Sequence, residues 1–183
     1  MKREIETRFL EINKEKLIKK LKEFSALDKG EIKLNEIIFY DKDLKWLNEN
    51  KLVKLRKENN KIKLIYKNNK EQTVDSTKEI EFNIPSLEEG KIFLEAVGLI
   101  PYRIIEKYRH SFVLDNVIVD IDTWPKIPTY AEFEGESVDS LKEIINKLGL
   151  KWEDRFDKDP RFVFKKYGFD FDKIRTVTFD KFE

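Results

Sequence analysis

Residues 2–12 alternate charged and apolar side chains with a period of two, the pattern of a strand buried on one face. Asn13 stands where a helix N-cap belongs, ahead of Leu17, Ile18, Leu21 and Phe24 on one helical face. Asp28-Lys29-Gly30 reads as a turn before a strand over 32–41, and residues 43–50 are short and less regular. Two strands, 51–57 and 61–67, flank Glu58-Asn59-Asn60, a hairpin turn by composition, and 76–84 predicts another strand. Ser86, with Glu88 and Glu89 in the turn that follows and Gly98 beyond its end, brackets a helix. Strand patterns recur at 101–114, 117–123 and 129–136, with Asp115-Asn116 as the turn between the first two. Val138, Leu141, Ile144, Ile145 and Leu148 repeat at helical spacing, and the tail predicts one short helix near 160–167. About eight strands on short connections, with three or four helices, predict an α+β domain whose sheet is largely antiparallel.

Composition narrows this picture. A chain of 183 residues suits one domain with a real core, and the expected organisation is a single unit over 1–183. Charged residues reach 40%, yet 37 basic and 36 acidic side chains nearly cancel. That balance gives no general attraction to nucleic acid or an acidic membrane surface, so neither is an expected partner and any anion binding must be local. Without cysteine there is no disulfide, thiolate metal site or thiol nucleophile. No apolar run follows the first basic residues, and none approaches the roughly 18 residues of a membrane span. The expectation is a soluble, cytoplasmic protein.

Charge placement on the strands carries the chemistry. Residues two apart on a strand share a face. Glu4 and Glu6 therefore lie with Arg8, Lys54 with Arg56, Lys63 with Lys67, and Glu79 with Glu81. Lys107 aligns with Arg109, Asp120 with Asp122, and Glu132 with Glu134 and Glu136. Like charges side by side repel. Closing the sheet would set acidic strands against basic ones, with metal cations and a polyanion completing the balance and helices covering the apolar outside. Periodicity alone fits an open sheet with a solvated charged face equally well.

Glu4-Ile5-Glu6-Thr7-Arg8 resembles the Glu-x-Glu-x-Lys opening motif of the CYTH family, the triphosphate tunnel metalloenzymes. Lys54-Leu55-Arg56 is similar to the family's Arg-x-Arg strand, and Leu64-Ile65-Tyr66-Lys67 to its lysine strand. Glu79-Ile80-Glu81 and Glu106-Lys107-Tyr108-Arg109 follow in the family's order. Asp120-Ile121-Asp122-Thr123-Trp124-Pro125 and Tyr130-Ala131-Glu132-Phe133-Glu134-Gly135 resemble its closing acidic strands. Arg8 stands for the usual lysine and Lys54 for the usual arginine, and Lys63 competes with Lys67 for the lysine position.

The resemblance implies a closed eight-stranded barrel with a charged lumen, over a core of about 2–150, and a helical or irregular tail over about 151–183. It implies that Glu4, Glu6, Glu132 and Glu134, helped by Asp120 or Asp122, hold Mg²⁺ or Mn²⁺. Arg8, Lys54, Arg56, Lys63 or Lys67, Lys107 and Arg109 would hold the triphosphate, with Arg161, Lys165, Lys166 or Arg175 of the tail as a further cation. Catalysis would rest on Glu4, Glu6, Arg8, Glu132 and Glu134. Hard cations favour carboxylate oxygen, and phosphoryl transfer needs positioning and charge stabilisation rather than a nucleophilic side chain. The expected activity is hydrolysis of a triphosphate-bearing small molecule, inorganic, nucleoside or thiamine triphosphate. Cyclisation of ATP to cyclic AMP, and binding without turnover, are the alternatives. A homodimer is compatible with the sequence, which designates no surface for it. His110 should face away from the lumen, and Trp46 and Trp124 read as packing residues.

Overall fold

The computed structural model describes residues 2–69, 73–74 and 77–183. The first half of the chain forms β1 (Lys2–Phe9), α1 (Lys14–Glu23), β2 (Leu27–Asp41), α2 (Lys45–Asn48), β3 (Lys51–Glu58), β4 (Lys61–Asn68) and β5 (Thr77–Ile84). Then come α3 (Leu87–Ala96), β6 (Leu99–Leu114), β7 (Val117–Thr123), β8 (Tyr130–Gly135), α4 (Val138–Lys147), α5 (Pro160–Lys166) and β9 (Thr176–Val177). Short 3₁₀ turns occupy 152–154 and 171–173.

The strands run in the order β2-β3-β4-β5-β1-β8-β7-β6, and a further β2–β6 pairing closes the ring into an eight-stranded antiparallel barrel. β9 adds to β6 in parallel from outside the ring. Asn13 and Ser86 cap α1 and α3 as the sequence predicts, each accepting a backbone N–H from the first turn, and Ser137 does the same for α4. The hairpin turns put Asn59, Asp115 and Asn116 at positive φ, where Asn and Asp are tolerated best. Asp28-Lys29-Gly30 is not a turn between elements. It is a bulge inside β2, with Gly30 at φ 84° and its N–H donating to Asp28 Oδ1 at 2.8 Å.

Apolar side chains on the outer strand faces hold the helices. Leu17 and Leu21 of α1, with Leu141, Ile144 and Ile145 of α4, pack on Phe9, Phe112, Val119, Ile121 and Phe133. Leu94 of α3 packs with Phe39, Val53 and Leu55. A Cβ at Gly90 would lie 2.5 Å from Ile84 Cδ1, so glycine lets α3 sit close on β5. The outside is not covered evenly, however. Ile80 and Phe82 on β5 remain 42% and 51% exposed, contrary to the expectation that helices cover the whole apolar face.

Candidate functional site

Ring order decides what faces what. β5, β1, β8 and β7 are consecutive around the barrel and carry Glu79, Glu81, Glu4, Glu6, Glu132, Glu134 and Asp120 on the lumen side. β6, β2, β3 and β4 complete the ring and carry Lys107, Arg109, Lys54, Arg56, Lys63 and Lys67. An acidic arc therefore faces a basic arc across a cavity of about 570 Å³. Of the charge groups predicted to share a face, Glu4 with Glu6 and Arg8, Lys54 with Arg56, Lys63 with Lys67, Glu79 with Glu81, Lys107 with Arg109, and Glu132 with Glu134 line the cavity together, whereas Asp122 and Glu136 do not join their neighbours there.

On the acidic arc, Glu6 lies directly opposite Glu134 and Arg8 opposite Glu132, across the β1–β8 ladder. Arg8 is buried beneath this wall: it donates to Glu6 at 2.9 Å and to the Lys158 carbonyl at 3.1 Å, and pairs with Glu132 at 2.6 Å. Its guanidinium holds the acidic wall together as much as it faces the cavity. Glu4 accepts from Lys67 at 2.7 Å. Burial still pushes the Glu4 carboxyl up to about 7, with Lys67 opposing and the neighbouring Glu6 and Glu79 reinforcing the rise.

On the basic arc the organising group is one the sequence analysis did not single out. Glu36 is 4% exposed and accepts from Arg56 at 2.5 Å, with Lys54 at 3.3 Å. Burial acts to raise its pKa, but Lys54, Arg56 and Lys107 outweigh it and hold the carboxylate well below its ordinary range. Lys54 itself is lowered to about 8, by burial first and by the adjacent Arg56 second. The only hint in the sequence was a lone charge among Ile32, Leu34, Ile38 and Tyr40 on the inner face of β2.

Asp122, predicted as a metal ligand, is fully buried behind the lumen surface. It accepts from Lys107 at 2.6 Å and from Arg109 at 2.7 Å, so its part is to fix those two cations. Asp120 reaches the cavity, paired with Arg109 at 2.5 Å and accepting from Ser111 at 2.6 Å. Lys63 lies nearer the mouth, paired with Glu58 and Glu81, while Lys67 lies deeper, beside Glu4 and Glu79. Of the tail cations, Arg161 lines the cavity, whereas Arg175 stacks on Tyr102 at 3.6 Å. Arg103, also missed, lines the cavity floor and donates to the carbonyls of Phe171 and Ile174 at 2.5 and 2.8 Å. Trp124 and Phe171 close that end in an aromatic cluster with Phe164, and Trp46 packs on Tyr66. His110 lies outside the lumen, bonded to Asp28 at 2.7 Å and stacked on Phe112.

Whether this lumen fits a divalent cation is a question of donors. Among the described residues, no three carboxylates already converge as a metal cluster, and those near the cavity have cationic partners. The donor chemistry nevertheless fits a hard ion. Glu6 faces Glu134, Glu4 is held against ionisation by burial, and the lining carries carboxylates and cations in nearly equal number. A polyphosphate entering alone would leave such a lumen strongly negative; one entering with divalent cations would not.

The family is shown directly: the CYTH domain model matches residues 2–168, and the chain belongs to that family. Members of the family act on triphosphates with divalent metal ions. The solved structures agree on the fold. A protein from Pyrococcus horikoshii OT3 is 21% identical, with a TM-score of 0.74, over 87% of this chain and 98% of its own. A candidate adenylate cyclase from Vibrio parahaemolyticus is 16% identical, with a TM-score of 0.77, over 90% and 98% of the two chains. A candidate adenylyl cyclase from Hippeastrum with a dominant triphosphatase activity is 13% identical, with a TM-score of 0.63, over 92% and 96%. No curated protein matches the chain.

Proposed function

We propose that the protein is a metal-dependent triphosphatase that binds its substrate along the basic arc and its metal along the acidic one. The observation that carries this reading is the segregation of the two arcs across one cavity. Lys54, Arg56, Lys67, Lys107 and Arg109 hold the phosphate oxygens, with Lys63 at the mouth and Arg161 at the floor. Lysine supplies compact point charges and arginine a forked donor, so the chain can be gripped at several oxygens at once. Glu36 and Asp122 pair with these cations and keep them aligned. Glu4, Glu6, Glu132 and Glu134, with Asp120 beside them, would hold Mg²⁺ or Mn²⁺. When bound, such an ion supplies positive charge at the phosphoryl oxygens and Lewis acidity toward the attacking group. The charge that builds on the departing phosphate meets fixed cations in a partly water-excluded space, where such stabilisation is strongest.

Hydrolysis is favoured because phosphoryl transfer to water asks only for what the arcs provide. The triphosphatase activity of the Hippeastrum relative is consistent with it. The test is product formation from inorganic triphosphate, ATP and thiamine triphosphate, each with Mg²⁺, Mn²⁺ or EDTA. Metal-dependent orthophosphate release is expected. Cyclic AMP with pyrophosphate would reassign the site to cyclisation, and the absence of turnover on all three would remove the hydrolase reading.

A further inference from the structure

The far end of the chain takes hold of β1 beside the acidic wall. Arg8 and Phe156 exchange both backbone bonds, the Arg8 N–H donating at 3.2 Å and the Phe156 N–H at 2.8 Å. The next tail residue, Asp157, accepts from the Thr7 hydroxyl at 2.6 Å and from Arg155 Nε at 3.0 Å. Lys158, after it, turns its backbone carbonyl onto Arg8 Nη1 at 3.1 Å. Three consecutive tail residues thus hold two consecutive residues of β1. What they hold is the counter-ion of the wall. Arg8 is 4% exposed, and its Nη2 serves both Glu6 at 2.9 Å and Glu132 at 2.6 Å. Nε is buried with no hydrogen-bond partner among the described residues, so the plane of the fork is set by Nη2 on the wall and Nη1 on the tail.

We infer that the tail is a positioning element for this site, acting through Arg8, and that Thr7 and Asp157 are the pair that anchors it. The inference rests on the proposed function, in which the acidic wall takes the metal. A guanidinium is a rigid planar fork, so anchoring one nitrogen aims the others. Without the Lys158 carbonyl the fork would pivot on Nη2, and Glu6 and Glu132 would lose a fixed cation in a buried setting where an unpaired charge is costly. Asp157 stands between the residue that pairs with the Arg8 backbone and the residue that pairs with its side chain, so a shift there moves both. Neither member of the anchoring pair lines the cavity. Thr7 is fully buried on the outer face of β1, and Asp157 is half-buried on the tail. Both therefore reach the site only by way of Arg8.

The Arg8 Nε–H gives a nitrogen-15 resonance, identified by its loss in Arg8→Lys, that is read without metal or substrate. A buried fork held at both ends should exchange this proton slowly in the wild type and in Thr7→Ser, which keeps the hydroxyl. Asp157→Ala and Thr7→Val should speed the exchange about tenfold or more, with an unchanged circular dichroism spectrum. If Thr7→Val does not fold, Asp157→Ala, at a half-buried position, carries the test. In turnover of inorganic triphosphate with Mg²⁺, the same variants should lower kcat by about tenfold to a hundredfold, the cost of a misplaced group. KM should stay within about twofold, since the basic arc is untouched, and Thr7→Ser should behave as wild type. Exchange that is unchanged in both variants would overturn the inference. So would a raised KM at unchanged kcat, which would place the tail's contribution in substrate binding. A wild type without turnover would remove the hydrolase reading alone, because the Arg8 exchange is measured on the free protein.

Discussion

Glu36 lies in the basic wall with 4% exposure and with Lys54 and Arg56 as its partners. A buried ion pair adds little over an apolar replacement, but removing one member leaves the others charged and unpaired. Glu36→Gln should therefore lower stability by roughly 3–5 kcal/mol, read from the urea unfolding midpoint. Lys54 gives a pH signature. Its folded pKa of about 8 is below its ordinary 10.5, so between those values the folded chain has released a proton that the unfolded chain keeps. By linkage, its contribution to stability is least favourable below pH 8 and improves as pH rises to 10.5. Anion binding runs the other way, since it needs the charged form. Triphosphate affinity should weaken as pH rises through about 8, and Lys54→Arg, charged throughout, should flatten that step in a binding titration. A step that persists in the arginine variant would assign it to another group.

At the scale of elements, the tail is tied to the barrel through Arg103 on β6. Its guanidinium donates to the Phe171 and Ile174 carbonyls and stacks on the Phe171 ring at 3.9 Å. Tyr102 on the same strand donates to the Asp172 carbonyl at 2.6 Å. Arg103→Ala should cost about 1.5–3 kcal/mol, the range for hydrogen bonds to charged groups. It should raise hydrogen exchange at 171–177 while leaving β1 and β8 protected. Arg103→Lys keeps the charge but not the planar fork, and should restore little of the protection. The elements themselves were readable in advance. The N-caps at Asn13 and Ser86 and the turn at Asp115-Asn116 are local signals, set by hydrogen bonding and backbone sterics within a few residues. The bulge at Asp28-Lys29-Gly30 carries the same residue types as a turn, and only its pairing with β6 distinguishes the two.

For the whole molecule, the two arcs make metal and polyanion mutually dependent. Each neutralises charge that the other would leave exposed in a lumen already near balance. Mg²⁺ or Mn²⁺ with triphosphate should raise the melting temperature more than the two separate shifts combined, and EDTA should abolish the excess. At a hundredfold excess over the dissociation constant the gain is about 2.7 kcal/mol, or on the order of 5–10 °C for a chain of this size. Additive shifts would mean that the arcs bind independently. The sequence by itself determined the strands, the helices that cover them and which side chains share a face, because a period of two or 3.6 is written in neighbouring residues. It also held the family's ordered motifs, and with them most of the lumen. Only the tertiary structure decided that the acidic strands are consecutive around the ring and face the basic ones. It alone put Glu36 between Lys54 and Arg56, drew Asp122 back behind Lys107 and Arg109, and brought Arg103 to the floor. Those outcomes depend on strand order and register between distant segments, where a buried charge survives only if its counter-charge arrives from another strand.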